Sequence, residues 1–420
     1  MKKYINREVI NVIDIGTTKI IVLIADYDLQ KNKIINIKGF GEAPSKGLKR
    51  GVVVDINKTT NSIKTAIEIA EKQANTEILN IFVGISGDHI KGINYSGVTS
   101  INPNKIPQAL GHSITKEDIK KVLEQAKSIN ISTDRRIMHV LPQEYKIDNQ
   151  ENIKEPLGLS GHRLEAKVHL VTSCINTETN ILTCLTELGI EIIDFILEPL
   201  ASSYAVLNND ERNLGSILID IGGGTTDIIT WNEGSVLHTG IVPIGGMAIT
   251  TDIAYAVQTS IEQAEKLKHL YGKARIDLAS NDEEIVVKGV RERKENKISE
   301  KKLAEVIEPR IVEIFKLVNI EIEKSDYKGN YTFGIVITGG GSKLMGLESL
   351  AKDIFNMPIK IGSSINDFNI DKIEMEIKDP KYATAIGLVK YAGREFNRYM
   401  ESDTNSLIKI IKNFFKKIIQ

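Results

Sequence analysis

Asp220-Ile221-Gly222-Gly223-Gly224-Thr225-Thr226-Asp227, in the middle of the chain, repeats the chemistry of Asp14-Ile15-Gly16-Thr17-Thr18, which lies 206 positions earlier. Each loop follows a short apolar run with strand character, Ile217 to Ile221 and Val9 to Ile15. Glycine between strands lets backbone N–H groups approach a polyphosphate, and the aspartate can hold a magnesium-bound water. One such turn alone reads as a hairpin with glycine at a positive φ. Two of them, in matching surroundings, point to a phosphorylated ligand gripped from both sides. A third run, Ile337-Thr338-Gly339-Gly340-Gly341-Ser342-Lys343, follows strand-like Tyr331 to Ile337 and opens a helical pattern from Leu344, offering bare backbone to a base. Neither Gly-x-Gly-x-x-Gly nor Gly-Lys-Ser/Thr fits these segments, which sets aside dinucleotide folds and P-loop NTPases. The expectation is an α/β protein with a hinged, two-lobed ATP cleft.

The surroundings of the loops repeat as well. In both halves the order is strand, phosphate turn, strand (Lys19 to Asp26; Asp227 to Trp231), turn, strand (Ile34 to Phe40; Ser235 to Ile241), then helix. This is an internal duplication. The first helix, near Asn57 to Ala74, puts Ile63, Ala66, Ile67 and Ala70 on one face to cover a sheet. After the strand Ile78 to Ile85 the halves cease to match, and about 80 residues intervene before the strand Lys167 to Thr172, which reads as an inserted subdomain. Within it Thr115-Lys116-Glu117-Asp118 resembles a capping box, followed by a helical face of Ile119, Val122, Leu123 and Ala126 and a strand near Arg136 to Ile147. Glu198-Pro199 suits the first turn of a crossover helix. The charged segment from about Thr250 to Glu308 reads as a second peripheral subdomain, with a strand at Glu284 to Val290. Helices are expected over Glu308 to Lys324 and Pro380 to Met400.

Composition fits a soluble body. The chain has 420 residues, 41% hydrophobic and 26% charged, long enough for two to four cores. Its net charge is −1, yet residues 406 to 420 carry four lysines and no acid, which leaves the rest at −5. A mildly acidic body without a basic aromatic stripe argues against nucleic-acid binding. The positive start is followed by an apolar run broken at Asn11 and Asp14, so no signal peptide is read. Cys174 and Cys184 lack metal or redox spacing, and the seven histidines contain no His-x-x-x-His pair, so neither cysteine chemistry nor catalytic zinc is expected.

The last fourteen residues stand apart. After the polar residues 401 to 406 comes a helix pattern in which Leu407, Ile408, Ile410, Ile411, Phe414, Phe415, Ile418 and Ile419 fill half of the wheel. Lys409, Lys412, Lys416 and Lys417 fall on the other half. Such a helix is about 21 Å long, short of the roughly 30 Å hydrocarbon core, and its lysines forbid spanning. It is expected to lie in the interface of an anionic membrane, anchored by Leu407, Ile408, Ile411, Phe414, Phe415 and Ile418 and by Lys409, Lys412 and Lys416.

More specific stretches then bring a family into view: His139-Val140-Leu141-Pro142-Gln143-Glu144-Tyr145, Gly158-Leu159-Ser160-Gly161, Ala166-Lys167-Val168-His169-Leu170 and Ala304-Glu305-Val306-Ile307-Glu308-Pro309-Arg310. With the three loops and the lysine-rich tail, the chain resembles the FtsA family of bacterial cell division proteins, within the actin-like ATPase superfamily. The resemblance implies an actin-like fold of two RNase H-like lobes. Subdomain 1A would take residues 1–84, 164–198 and 380–400, and the inserted 1C residues 85–163. Subdomain 2A would take 199–249 and 309–379, 2B 250–308, the linker 401–406 and the membrane helix 407–420.

It further implies ATP between the lobes, with Asp14, Gly16, Thr17, Thr18 and Lys19 and then Asp220, Gly222, Gly223, Gly224, Thr225 and Thr226 around its phosphates. Gly340, Gly341 and Ser342 would meet the adenosine, Glu265 and Lys268 the ribose, and Asp14 and Asp220 a Mg2+ ion through water. Hydrolysis would be weak or absent, and no residue reads as a general base. The implied partners are the C-terminal peptide of FtsZ through 2B, further copies of the chain in filaments, later division proteins through 1C, and the membrane on its cytoplasmic side at the division site. Lys297, Lys301 and Lys302 offer charge to an acidic peptide. The linker is shorter than in many relatives. Two other readings stay open at this point: a pilus-assembly platform of the same fold, and a small-molecule kinase of the same superfamily.

Overall fold

The structure, a computed structural model, describes all residues except 1–6, 29–30, 32, 102–111, 283, 290–294, 326, 328, 330, 366–368, 371–377 and 395–420. The linker and the amphipathic segment 407–420 therefore lie outside the described residues.

The chain opens with β1 (Arg7–Ile15), β2 (Lys19–Asp28) and β3 (Lys33–Pro44), an antiparallel meander, followed by α1 (Ile56–Ala74) and β4 (Asn80–Ile85), which runs parallel to β1. Asp55 caps α1 by accepting from the Lys58 N–H at 3.0 Å, and Asn75 closes it in the left-handed region. Ile63, Ala66, Ile67 and Ala70 are buried as their spacing requires. The helix lies directly on β3, because Gly41 there leaves no side chain between the strand and the Ala66 carbonyl. Burying Ile63 and Ile67 contributes about 1.5–3 kcal/mol each.

The insertion follows: β5 (Lys91–Ser100), α2 (Lys116–Ala126), β6 (Arg135–Ile147), β7 (Gln150–Ile153) and β8 (Arg163–Cys174). Its sheet runs β7-β6-β8-β5. The capping box at Thr115 forms in full, with Asp118 N–H donating to Thr115 Oγ1 at 3.3 Å and Thr115 N–H to Asp118 Oδ2 at 3.0 Å. β8 is an inner strand of this sheet, paired with β6 on one side and β5 on the other, so the inserted sheet runs on to Cys174 and does not end at residue 163. The two-sided burial of β8 hides this boundary from hydropathy, since its apolar run reads equally well as a strand of the main lobe.

The first lobe resumes with α3 (Ile175–Thr186) and β9 (Glu191–Leu197), parallel to β4, and α4 (Glu198–Val206) crosses to the second lobe with Pro199 in its first turn. There β10 (Ser216–Ile221), β11 (Thr226–Asn232) and β12 (Ser235–Val242) repeat the meander. Next come α5 (Gly246–Val257), α6 (Ile261–Tyr271), the hairpin β13 (Glu284–Val287) with β14 (Asn296–Ser299), and α7 (Glu300–Glu323). β15 (Ile335–Thr338), α8 (Leu347–Phe355), β16 (Ile359–Ile361) and α9 (383–394) complete the described chain.

The two main sheets have one topology. The first runs β3-β2-β1-β4-β9 and the second β12-β11-β10-β15-β16, each an antiparallel meander continued by two parallel strands. Alternation along β10 decides which face goes where: Ile217, Ile219 and Ile221 join the outer core under α5, α7 and α8, while Leu218 points inward. The inner faces of both sheets share one core with α4 and α9, through Leu200, Ala201, Ala205, Ile386, Leu388 and Val389. These two helices form a layer between the lobes.

Three further boundaries differ from expectation. α7 starts at Glu300, capped by Ser299, and runs through Pro309, which a propensity reading takes as a helix start. Glu300 is fixed there by Lys273 at 2.6 Å. The third glycine run forms a 3-10 turn, Gly340–Lys343, so the helix after it begins at Leu347 rather than Leu344. Asn369–Ile370 pairs in parallel with β3, in the first sheet, although residues up to 379 read as second lobe. A two-residue strand leaves no periodicity to read.

The insertion also docks on the second lobe. Gln143 Nε2 donates to the Val236 and Leu237 carbonyls at 2.9 and 3.2 Å, and His169 Nε2 lies 2.8 Å from Thr239 Oγ1. β12 is an edge strand, and Gln143 serves two of its carbonyls while His169 meets a side chain on it.

Candidate functional site

Both aspartate loops are hairpin turns at the same place in their sheets. Asp14 pairs with Ile21 across the first hairpin and with Gly84 of β4, and Asp220 pairs with Asp227 across the second and with Thr338 of β15. The loops face each other across the cleft. A Cβ added at Gly223 would stand 2.7 Å from Thr18 Oγ1, and one at Gly224 would stand 2.8 Å from Thr17 Cβ. Thr17 Oγ1 accepts from the Gly51 N–H at 3.1 Å, which fixes its hydroxyl. The second loop is braced from below, with Gly246 N–H and Met247 N–H donating to the Gly222 and Gly223 carbonyls at 2.9 and 2.8 Å. Gly222 N–H donates to the Thr225 carbonyl at 3.0 Å, and Thr226 Oγ1 to the Ile244 carbonyl at 2.8 Å.

Four carboxyl groups and one lysine line this cleft. Burial pushes Asp14 up to about 6, against the pull of Lys19 and with a further push from Asp220. Asp227 goes up to about 8 through burial, although Ser86 Oγ donates to its Oδ1 at 2.5 Å. Burial also raises Asp220, and it raises Glu198 well above the usual carboxylate range, with Asp14, Asp227 and Asp220 adding repulsion. Lys19 is lowered by burial, against the pull of Asp14, and donates to the Lys381 carbonyl at 2.7 Å. Four buried carboxyl groups stand against the one amine of Lys19 in this cluster, so their full ionisation is costly without a further cation.

That imbalance is the test of fit for Mg2+. The donors are all oxygens, which suits a hard cation. Among the described residues no three His, Cys, Asp or Glu groups come close enough to ligate an ion directly. A cation here would be held through water and through the phosphates it accompanies, with Asp14 and Asp220 oriented toward it.

Glu265, Lys268 and the third glycine run lie beside the same loops. Lys268 Nζ donates to Glu265 Oε2 at 2.7 Å, to Thr250 Oγ1 at 2.8 Å and to the Gly246 carbonyl at 3.1 Å, so the pair sits beneath the second loop. Burial pushes Glu265 up, but hydrogen bonds and charge from His269, Lys268 and Thr250 outweigh it and hold the carboxyl at about 2. Gly340 presents open backbone, with Lys381 Cβ, at 3.9 Å, the nearest atom to an added Cβ. Gly341 packs on Ile221, and Ser342 turns its hydroxyl onto the Gly339 carbonyl at 2.7 Å, so this loop offers backbone rather than side chains. Lys297 pairs with Glu284 and Lys302 with Glu305, at 2.7 and 3.3 Å.

Sequence reading passed over Glu198, Ser86, Ser202 and Thr384, and it kept Asp227 out of the site although the residue closes the quoted loop. In the sequence Glu198 reads only as a helix start. A usable signal was the pair Ser202-Ser203 inside an otherwise apolar helix.

Comparison with known proteins bears on the family and the fold. A sequence profile described as "Cell division protein FtsA" matches residues 217–387, and one described as "SHS2 domain inserted in FTSA" matches residues 87–172. The chain is 42% identical over 379 residues to the cell division protein FtsA of Pseudomonas aeruginosa, covering 90% of this chain and 88% of that one. Among solved structures it is similar to the PilM-PilN type IV pilus biogenesis complex, with a TM-score of 0.60 at 18% identity over 92% of this chain and 98% of that one. It is also similar to MreB5 of Spiroplasma citri bound to ADP, with a TM-score of 0.56 at 16% identity over 94% and 98%. The fold is actin-like.

Proposed function

The chain belongs to the FtsA family of cell division proteins, and from that footing we propose that it is an ATP-dependent tether holding FtsZ filaments at the inner face of the cytoplasmic membrane. The observation that carries the nucleotide part is the cleft itself: two interlocked aspartate loops, one from each lobe, around buried carboxylates that lack enough positive charge. ATP with Mg2+ supplies phosphates for the loop N–H groups and a dication for the carboxylates. Asp14, Gly16, Thr17, Thr18, Lys19 and Asp220 to Thr226 hold the phosphates, Gly340 and Gly341 the adenosine, and Glu265 and Lys268 the ribose edge.

Subdomain 2B, around α5, α6 and the β13–β14 hairpin, takes the FtsZ C-terminal peptide. The inserted subdomain meets later division proteins, and copies of the chain assemble into filaments. Among the described residues no helix is long and apolar enough to cross a membrane. Attachment falls to residues 407–420, whose four lysines contribute about 1 kcal/mol each near an anionic leaflet. At the division site the protein is then a peripheral one.

The deciding experiment is recruitment of purified FtsZ to anionic vesicles by the full chain with MgATP. Co-sedimentation of FtsZ only when the chain is present is the expected result, and absence of FtsZ from vesicles already coated with the chain would overturn the tether. Truncation after residue 405 should reduce vesicle binding at least tenfold, more so at low salt, and equal binding by both forms would remove the membrane role of the tail.

A further inference from the structure

Two hydroxyls converge on one oxygen of Asp220. Ser202 Oγ, fully buried on α4, donates to Asp220 Oδ2 at 2.6 Å, and Thr384 Oγ1, at the start of α9, donates to the same atom at 3.1 Å. The hydroxyls lie 3.1 Å from each other. They meet because α4 and α9 touch backbone to backbone, where Gly387 leaves no Cβ between its helix and the Ala201 carbonyl. Asp220 belongs to the second lobe, on β10, whereas both donors ride on the helices that join the lobes.

Two donors on Oδ2 fix the carboxyl plane, and the other oxygen, Oδ1, is then directed to the third loop. There Gly339, at φ 84°, has no side chain to occupy the space in front of it.

We propose that Ser202 and Thr384 are positioning residues for the magnesium-bound nucleotide, holding Asp220 so that Oδ1 faces the water shell of the cation and tying that orientation to the packing of the two lobe-joining helices. The proposal rests on the ATP reading of the cleft. Without the hydroxyls Asp220 is free to rotate, and the cation loses a fixed acceptor while the phosphates keep theirs. The loss therefore falls on the magnesium-dependent part of binding.

The test compares ATP affinity of the full chain in EDTA with that in saturating Mg2+, for the parent and for Ser202→Ala, Thr384→Val and the double variant. The parent should bind more tightly with Mg2+. In the double variant that gain should shrink about tenfold, with a much smaller change in EDTA, and Ser202→Thr with Thr384→Ser should restore it. Thr384 is half-buried and valine matches its shape, so Thr384→Val alone keeps the test usable if the Ser202 variant does not fold. A full magnesium gain in folded variants, or equal losses with and without Mg2+, overturns the positioning role and leaves the ATP site standing. No ATP binding by the parent overturns both.

Discussion

Replacing Gly387 by alanine is expected to destabilise the protein by about 3 kcal/mol, at the upper end of what overpacking a core costs. The added Cβ would fall on the Ala201 carbonyl and close to the Ser202 nitrogen, at 2.9 Å, and both are backbone atoms of a neighbouring helix that cannot rotate away. Alanine in place of a helical glycine by itself contributes up to about 1 kcal/mol in the other direction, so the sign is set by the clash. Gly393, in the same helix, is the control. The nearest atoms to its added Cβ are in the Ile34 and Tyr27 side chains, at 3.2 and 3.3 Å, so Gly393→Ala should leave stability within about 1 kcal/mol of the parent. Chemical denaturation of the three proteins checks this, and a Gly387→Ala protein as stable as the Gly393→Ala one would refute the close helix contact.

Asp227→Asn should make the nucleotide-free protein more stable at pH 8, by on the order of 2 kcal/mol or more, with the advantage shrinking toward pH 5. The folded carboxyl titrates at about 8 and the unfolded one near 3.8. Between those values the folded state binds more protons than the unfolded state, so the contribution of Asp227 to stability falls as pH rises, and its cost is complete above pH 8. Asparagine has no charge to bury and keeps an oxygen for the Ser86 hydroxyl. His139 and His169, pushed down to about 4 and about 3 chiefly by burial, act the other way below pH 6.5, since only the unfolded state takes up their protons there. They are common to both proteins and cancel in the difference. The same substitution should weaken MgATP binding, because the carboxylate that burdens the empty cleft is what the cation compensates. Denaturation of both proteins across pH 5 to 8 gives the answer, and parallel curves would show that Asp227 is not charged at a cost in the fold.

What sequence revealed and what it hid follow from how local each signal is. The two aspartate loops, the duplicated meander and the capping box at Thr115 depend on neighbours a few residues away, so they stand out from sequence. The inner strand β8 and the pairing of residues 369–370 depend on which sheet a segment joins, and neither leaves a local trace. The third loop was legible as bare backbone, but the inward turn of Ser342 follows from a 3-10 geometry that composition does not specify. Ser86, Ser202 and Thr384 reach their aspartates over 141, 18 and 164 positions, distances over which spacing carries no information.

The layer of α4 and α9 between the lobes also bears on how the protein is made. All of the first sheet but its edge pair Asn369–Ile370 has been made by residue 197, yet part of its inner face is covered by residues 383–394, the last described segment of the chain. At about 5–20 residues per second, roughly 10 to 40 seconds separate the synthesis of that sheet from the arrival of its cover. During that interval Ile and Val side chains of a nearly finished sheet face solvent. That part of the lobe's core can close only once a segment nearly 200 residues downstream has been made.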